Sequence, residues 1–457
     1  MINTNPKYQQ QALETMCWVS VVGDSSFPAI TASGPTVYDK TALLVYNVES
    51  DQTNGSPFGD NASSDAFGRL RVSNPVSLID SKQLYNKTPV VFDEIVSSNA
   101  TSIHVSGDSL TLMSTTSANA YVIRQTPLRF NYQPGKSMQG IFTGVFAPQT
   151  NIIKRVGLFQ SASAAPYEPN SGMYLEVTSS GASFVIKKDD GTPYNVTVPQ
   201  SSWNIDKLDG TGSSGLTIDF TKAQIFTLDY EWLGVGRVRF GFFLQGKCYY
   251  AHQVTNYNQL NAVYLSIPNQ PIRYEIRQTG TGSGSMKHIC STVIIEGNED
   301  ILGTPASIST SAVIAVDVLA FHPIIVVRLN PNQSSIVPLV RSVELLNVAN
   351  NGSCIYKLAY NATFSGASLV WNDIPNTSLQ YAIGSNSISA TGGIDLMTKF
   401  IGASQGSSIG TSEVAVGGLN GRMGMKIDGT PETLSLVGKG ITNDASIWAS
   451  INMIQRA

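Results

Sequence analysis

IFTLDYEWLGVGRVRFGFFL, residues 225–244, is the stretch that decides the fold. In an extended chain successive side chains point to opposite faces. Phe226, Leu228 and Tyr230 then share one face, and Ile225, Thr227, Asp229 and Glu231 the other. Gly234 and Gly236 permit a close turn into a second strand over 237–244. There Val238, Phe240 and Phe242 alternate with Arg239, Gly241 and Phe243. The segment reads as an antiparallel hairpin with one core face. Asp229 and Glu231 come opposite Arg237 and Arg239 as cross-strand ion pairs, each worth ~0.2–1 kcal/mol and more useful for register than for stability.

The same signature recurs outward in both directions. Short runs of β-formers, cut by Gly, Asn, Asp or Pro, fall at 42–48, 174–177, 183–187, 324–329 and 342–348. Asp190-Gly191 between VIKKD and TPYNVTV predicts a hairpin of the type I′ class. Helical periodicity is confined to 7–16 and 393–399, with a turn near 257–260. No fixed-period repeat is present, which disfavours a solenoid or propeller. The expected class is all-β: an antiparallel β-sandwich of concanavalin or jelly-roll type in the middle, with smaller β regions on either side. Three divisions are expected. Residues 1–75 form an N-terminal arm and small β region with a polar stretch at 49–65. Residues 76–300 form the sandwich, and residues 301–457, after Gly303-Thr304-Pro305, a C-terminal β-domain with a loose segment at 402–410.

Composition narrows the function classes. The 457 residues carry only 13% charged side chains, about half of the usual share, with Ser, Thr, Asn, Gln and Gly in their place. A surface of this kind suits packing against copies of itself or against sugars. A net charge of −3 and the lack of a basic stripe exclude nucleic acid as a partner. No window approaches the ~18 apolar residues of a membrane helix, and MINTNPKYQQQ does not resemble a signal peptide. Synthesis in a host cytoplasm is the expectation. Cys17, Cys248, Cys290 and Cys354 form no CxxC and have no His at ligand spacing, so they read as buried thiols.

Chemistry is sparse. Asp229 and Glu231, at i and i+2 on a strand, lie roughly 7 Å apart, within the carboxylate spacing of glycosidases. Asp206 and Asp209 are a second pair. The arginines opposite Asp229 and Glu231 favour salt bridges over catalysis. His104, His252, His288 and His322 are far apart in sequence, and no GxSxG, HExxH or Walker loop occurs. The glycines of 280–285 precede no helix, so they read as a loop rather than a phosphate cradle. The 206–212 segment, DKLDGTG, lacks the closing Glu of an EF-hand and reads as an Asx-rich turn before a calcium site. No enzyme activity, cofactor or metal is expected.

Three stretches resemble a family of virion structural proteins from tailed phages and large DNA viruses. They are SSDAFGRLRVSNPVSLIDSKQLYNKTPVVFDE at 63–94, the segment 203–250 from WNIDKLDGTG through DYEWLGVGRVRFGF, and WNDIPNTSLQYAIGSNSISATGGIDL at 371–396. The resemblance implies a lectin-like sandwich with a smaller β-domain behind it, residing in a virion. In the first stretch Asp65 and Gly68 set a turn, 69–72 alternates as a short edge strand, and Pro75 ends it. Asp65, Phe67, Arg69 and Arg71 are candidate attachment residues, with the arginines pairing to a neighbouring subunit. Tyr167, Tyr194, Trp203 and Trp371 are candidate glycan contacts, because sugar rings pack on aromatic faces. The reading is a capsid, vertex or tail component, head fibre or decoration protein among them, assembling as a homo-oligomer with other virion proteins as partners. A trimer is expected by analogy with viral fibres. The alternative is a fibre module that binds host surface glycans; a polysaccharide-degrading tailspike is placed last.

Overall fold

The computed structural model describes residues 18–19, 42–43, 63–297, 302–333, 335–349, 352–409 and 422–456. The predicted hairpin is present with its register intact. Ala223–Tyr230 pairs antiparallel with Arg237–Leu244, with Asp229 opposite Arg239 and Phe226 opposite Phe242. It belongs to an eight-stranded sheet, in which Lys247–Thr255, Arg237–Leu244, Ala223–Tyr230, Met138–Val145, Gly284–Glu296, Leu110–Thr115 and Ala100–Val105 follow one another. Pro75–Lys82 adds to Gly284–Glu296. A seven-stranded sheet runs Tyr194–Pro199, Gly181–Lys188, Pro169–Thr178, Ile152–Ser161, Ile272–Gln278, Tyr121–Gln125 and Asp93–Val96.

The two sheets bury one core between them, which makes this part of the chain an antiparallel β-sandwich. Phe226, Leu228, Phe240 and Phe242 from one sheet meet Met173, Leu175 and Phe184 from the other. The Phe184 ring stacks 4.7 Å from Phe240 and 4.2 Å from Trp203. Each such side chain contributes about 1.5–3 kcal/mol by leaving water.

A second pair of sheets follows, with its own core from Ala306 to Met453. A five-stranded sheet holds Thr304–Ser309, Ala445–Arg456, Val337–Asn347 and Gly406–Ile409, with Ile314–Val316 added to Ala445–Arg456. A six-stranded sheet holds Asn372–Asp373, Leu379–Ile383, His322–Leu329, Thr433–Gly440, Cys354–Tyr360 and Ile394–Ile401. Among the described residues every strand pairing stays on one side of residues 298–301. The two parts meet where Met425 N donates to Pro127 O at 3.1 Å and Ile427 N to Asp93 Oδ2 at 2.9 Å.

Several local expectations are corrected. The segment 393–399 is the strand Ile394–Ile401, not a helix. Its apolar residues mimic a helical period, but the left-handed Gly392 and Gly393 (φ 63° and 77°) turn the chain back onto Cys354–Tyr360, and that pairing decides. Pro75 begins a strand instead of ending one, and at 69–72 there is only a bridge from Ser64 to Leu70. The Asp190-Gly191 hairpin exists, but Lys188 pairs with Tyr194, so its loop is longer than a two-residue type I′ turn. Within 402–410, Gly406–Ile409 pairs with Val343 to Leu346. A turn does occupy 257–259, with Leu260 N donating to Asn256 O. The expected helix at 7–16 and most of the polar stretch at 49–65 lie outside the described residues.

Candidate functional site

Residues 63–72 lie across the outward face of the hairpin. Asp65 shapes this loop: its Oδ1 accepts from Phe67 N at 3.0 Å and Arg69 N at 2.8 Å, and its Oδ2 from the Arg69 guanidinium at 2.7 and 2.9 Å. The carbonyls of Ser64 and Ala66 then face the strands and accept from Arg239 at 2.8 Å and Arg237 at 3.0 Å. Arg71 reaches beneath, donating to Asp229 Oδ2 at 2.6 Å and pairing with Glu296.

Asp229 is the hub, with no exposed side-chain surface. It accepts from Arg239 at 2.5 and 2.9 Å, from Arg71, and from the Tyr250 hydroxyl at 2.7 Å. Burial opposes its ionisation, but Arg239, Arg71 and Tyr250 outweigh burial and hold the carboxyl below its ordinary value. The predicted Asp229–Arg239 pair is therefore present, yet fully enclosed, where removing one partner costs more than it would at the surface. Glu231 departs from it. Burial raises its carboxyl, which accepts from Arg237 N at 3.2 Å. Both Asp229 oxygens accept from Arg239, Arg71 or Tyr250 and the side chain is fully buried, so a reacting group has no access to it. Asp65 and Arg71 have ion-pair partners within the chain. Arg69 stays half exposed, 4.5 Å over the Phe67 ring.

A second charge cluster, unforeseen from the sequence, lies on the outward face of the seven-stranded sheet. Arg273, Glu275 and Arg277 alternate along Ile272–Gln278, while Tyr274 and Ile276 enter the core. Glu275 pairs with Arg155 at 2.7 Å, Arg273 at 2.5 Å and Arg277. Arg155 also holds Glu176 at 2.7 Å, and Glu168 reaches Arg277 at 3.0 Å. The loop between Ser161 and Pro169 closes over them, with Tyr167 O accepting from Arg273 and Arg277 at 2.7 Å each. Burial raises the Glu275 carboxyl, but the three guanidiniums overcome it and bring it to about 2. The alternation RYEIR in a chain so poor in charge was the signal available.

The four candidate glycan aromatics are not brought into one site. Trp203 is in the core, its Nε1 donating to Val198 O at 3.2 Å. Tyr194 opens an edge strand and donates to Asn256 Oδ1 at 2.7 Å. Tyr167 sits in the loop over the Glu275 cluster, its ring 6.3 Å from Tyr121. Trp371 is in the C-terminal part, with the Arg328 guanidinium 3.8 Å above its ring.

Beside Trp371 a cleft of about 510 Å³ opens, lined by Ser307, Ser309, Asn372, Asp373, Pro375 and Tyr381 among others. A second hollow of about 380 Å³ is floored by Phe321, Ala359 and Val437, with the Lys357–Asp395 ion pair (2.6 Å) at its rim.

The remaining candidates are structural. Asp206 accepts from Leu208 N at 2.9 Å and Ser214 N at 2.7 Å, and Asp209 from Thr211 N at 2.9 Å, so the loop is a run of Asx turns. Among the described residues no group of three His, Cys, Asp or Glu is placed to hold a metal. His288 is buried, its ring stacked 3.7 Å from Tyr274. Ser291 Oγ lies 3.4 Å from His288 Nε2, but no hydrogen bond orients the other ring nitrogen. His252 is pushed down to about 4 by burial. His322 Nε2 lies 3.0 Å from Asp317. In the 280–285 loop the carbonyls of Gly280 and Gly282 turn inward to the Gln278 amide at 2.9 and 2.6 Å. Cys248, Cys290 and Cys354 are free, and Cys17 lies outside the described residues.

No protein-family model matches this sequence, and no curated protein matches it. Solved structures do resemble about half of the chain in fold. The Emp47p carbohydrate recognition domain is 12% identical, with a TM-score of 0.30, covering 48% of this chain and 95% of its own. The Bacillus licheniformis β-glucanase is 9% identical with a TM-score of 0.31, covering 50% and 100%. A legume lectin-like domain from Entamoeba histolytica is 11% identical with a TM-score of 0.29, covering 49% and 99%.

Proposed function

We propose that this protein is a non-catalytic virion structural component that works as a homo-oligomer, with residues 63–94 as its contact to a neighbouring subunit or particle protein. One observation carries the reading. Leu70, Val72, Leu84, Tyr85 and Val90, all in that stretch, are 39 to 90% exposed. The Arg71 ion pairs to Asp229 and Glu296 fasten the start of the same stretch to the sandwich. Apolar side chains displayed from a fixed base are what a docking surface needs.

The chemistry supports the same view. Asp229 and Glu275, both fully buried, are held ionised by arginines that tie strands together. A hydrolase of glycans needs a protonated acid and a free carboxylate facing one cleft; among the described residues that line the 510 Å³ cleft, Asp373 is the one carboxylate. The test is location. Antibodies to the purified protein, applied to intact particles and read by electron microscopy, label a defined capsid, vertex or tail position on this account. Absence of the protein from purified particles overturns it.

A further inference from the structure

The cleft beside Trp371 has no part in the assembly reading and stands independently of it. It lies where the margins of two sheets face each other. Thr304–Ser309 is the outermost strand of the five-stranded sheet, and Asn372–Asp373 the outermost of the six-stranded one. Neither strand has a second neighbour among the described residues, so alternate backbone N–H and C=O groups of both remain open to a ligand.

The lining is selective in its chemistry. Ser307 and Ser309 contribute hydroxyls, Asn372 an amide, Asp373 a carboxylate and Tyr381 a half-buried ring. Among the described residues no cation lines the cleft, so an anionic ligand would face the Asp373 charge without compensation from them. The polar walls give an apolar ligand nothing to offset their desolvation. A molecule bearing many hydroxyls, each able to donate and accept, matches such a surface, and about 510 Å³ falls within the usual range of about 300–1,000 Å³ for ligand clefts.

The rim is also held in place. Asp373 Oδ1 accepts from Gln380 Nε2 at 2.9 Å and from Asn330 Nδ2 at 3.3 Å. Gln380 Oε1 accepts from Arg328 Nε at 3.0 Å, and Arg328 is stacked on Trp371. Trp371 therefore serves at one remove, as the base of a chain that fixes the carboxylate. Ser307 is similarly fixed, its Oγ donating to Asn452 Oδ1 at 2.7 Å. A carboxylate and amides held rigid by supporting residues are the arrangement that binds sugar hydroxyls without a large ordering cost.

We infer that this cleft binds an uncharged oligosaccharide, with Asp373 and Asn372 accepting from and donating to its hydroxyls and Tyr381 packing against a ring face. The full chain is run in native gels containing dextran, laminarin, yeast mannan or xylan, with alginate as the anionic comparison. Retardation by at least one neutral polysaccharide and weaker retardation by alginate is expected. The pair Asn372→Ala and Asp373→Ala, at exposed positions, should weaken it tenfold or more while leaving the melting temperature in place. No retardation in any neutral gel, alginate retarding the chain as strongly, or retardation unchanged by the double substitution overturns the inference. Retardation lost instead on Tyr194→Ala would move the site to the central sandwich and overturn it equally.

Discussion

Asp229 and Glu231 stand two positions apart, the second just past the end of the strand Ala223–Tyr230, and the fold gives them opposite environments. Asp229 lies between two guanidiniums under the 63–72 loop, while Glu231 sits at the strand end against a backbone amide. Removing the first strips the buried Arg239 of its Asp229 counter-charge and leaves Arg71 to Glu296, which costs about 3–5 kcal/mol. Asp229→Ala should therefore lower the urea midpoint sharply, while Glu231→Gln should cost under about 1 kcal/mol. Equal losses would refute the assignment of Asp229 as the hub. The sequence reading paired Asp229 with Arg239 correctly because strand alternation and register are local. It took the pair for a surface one because its cover comes from residues over 150 positions away. Glu432 makes a different residue-scale prediction. Its carboxyl is 3% exposed, accepts from Tyr360, Asn361 and Gly424, and is pushed up to about 8 by burial and by nearby Asp93. Folding thus favours its protonated form. Its contribution is complete below the ordinary carboxyl value of 4.5 and is lost as pH rises through about 8. Glu275 has the opposite sign: its contribution is present above 4.5 and lost as pH falls towards about 2. Denaturant midpoints measured from pH 5 to 9 should fall at the alkaline end, and Glu432→Gln should flatten that fall. An unchanged slope in the variant would assign the effect elsewhere.

At the scale of elements, the strands were legible where alternation was clean. Arg237–Leu244 and the strands containing 174–177, 183–187 and 324–329 fall where β-former runs sit between turn residues. The failures have a common cause, which is that pairing partners are not written locally. Ile394–Ile401 carries a helix-like apolar spacing and becomes a strand because Cys354–Tyr360 offers it an edge. Pro75 was read as a stop, but at the first position of a strand its missing N–H costs nothing. The Glu275 cluster escaped because its arginines come from two strands more than a hundred residues apart. Close contact between strands gives a prediction here. Gly172, at φ 137°, faces Phe159 so closely that an added Cβ would lie 2.3 Å from the Phe159 Cα. Gly172→Ala should cost ~2–3 kcal/mol through overpacking and backbone strain, read as a lower melting temperature. A neutral outcome would mean the two strands separate freely there.

Across the whole molecule there are two β cores, and the first carries buried arginine–carboxylate clusters around Asp229 and Glu275. Residues 63–94 display Leu70, Val72, Leu84, Tyr85 and Val90 outward beside charged side chains such as Arg69, Asp80 and Lys82, and the start of that segment is pinned to the sandwich by Arg71 and by the Ser64 and Ala66 carbonyls. The account's central claim is that this segment is covered by another subunit. The direct measurement is light scattering on the full chain after size exclusion, beside the double variant Val72→Asp and Tyr85→Asp, two positions at 85 and 90% exposure. The account predicts a mass that is a multiple of 48.9 kDa for the natural chain, dropping to a single copy in the variant with its circular dichroism unchanged. A natural chain that stays single at every concentration, or a variant that keeps the natural mass, would contradict it.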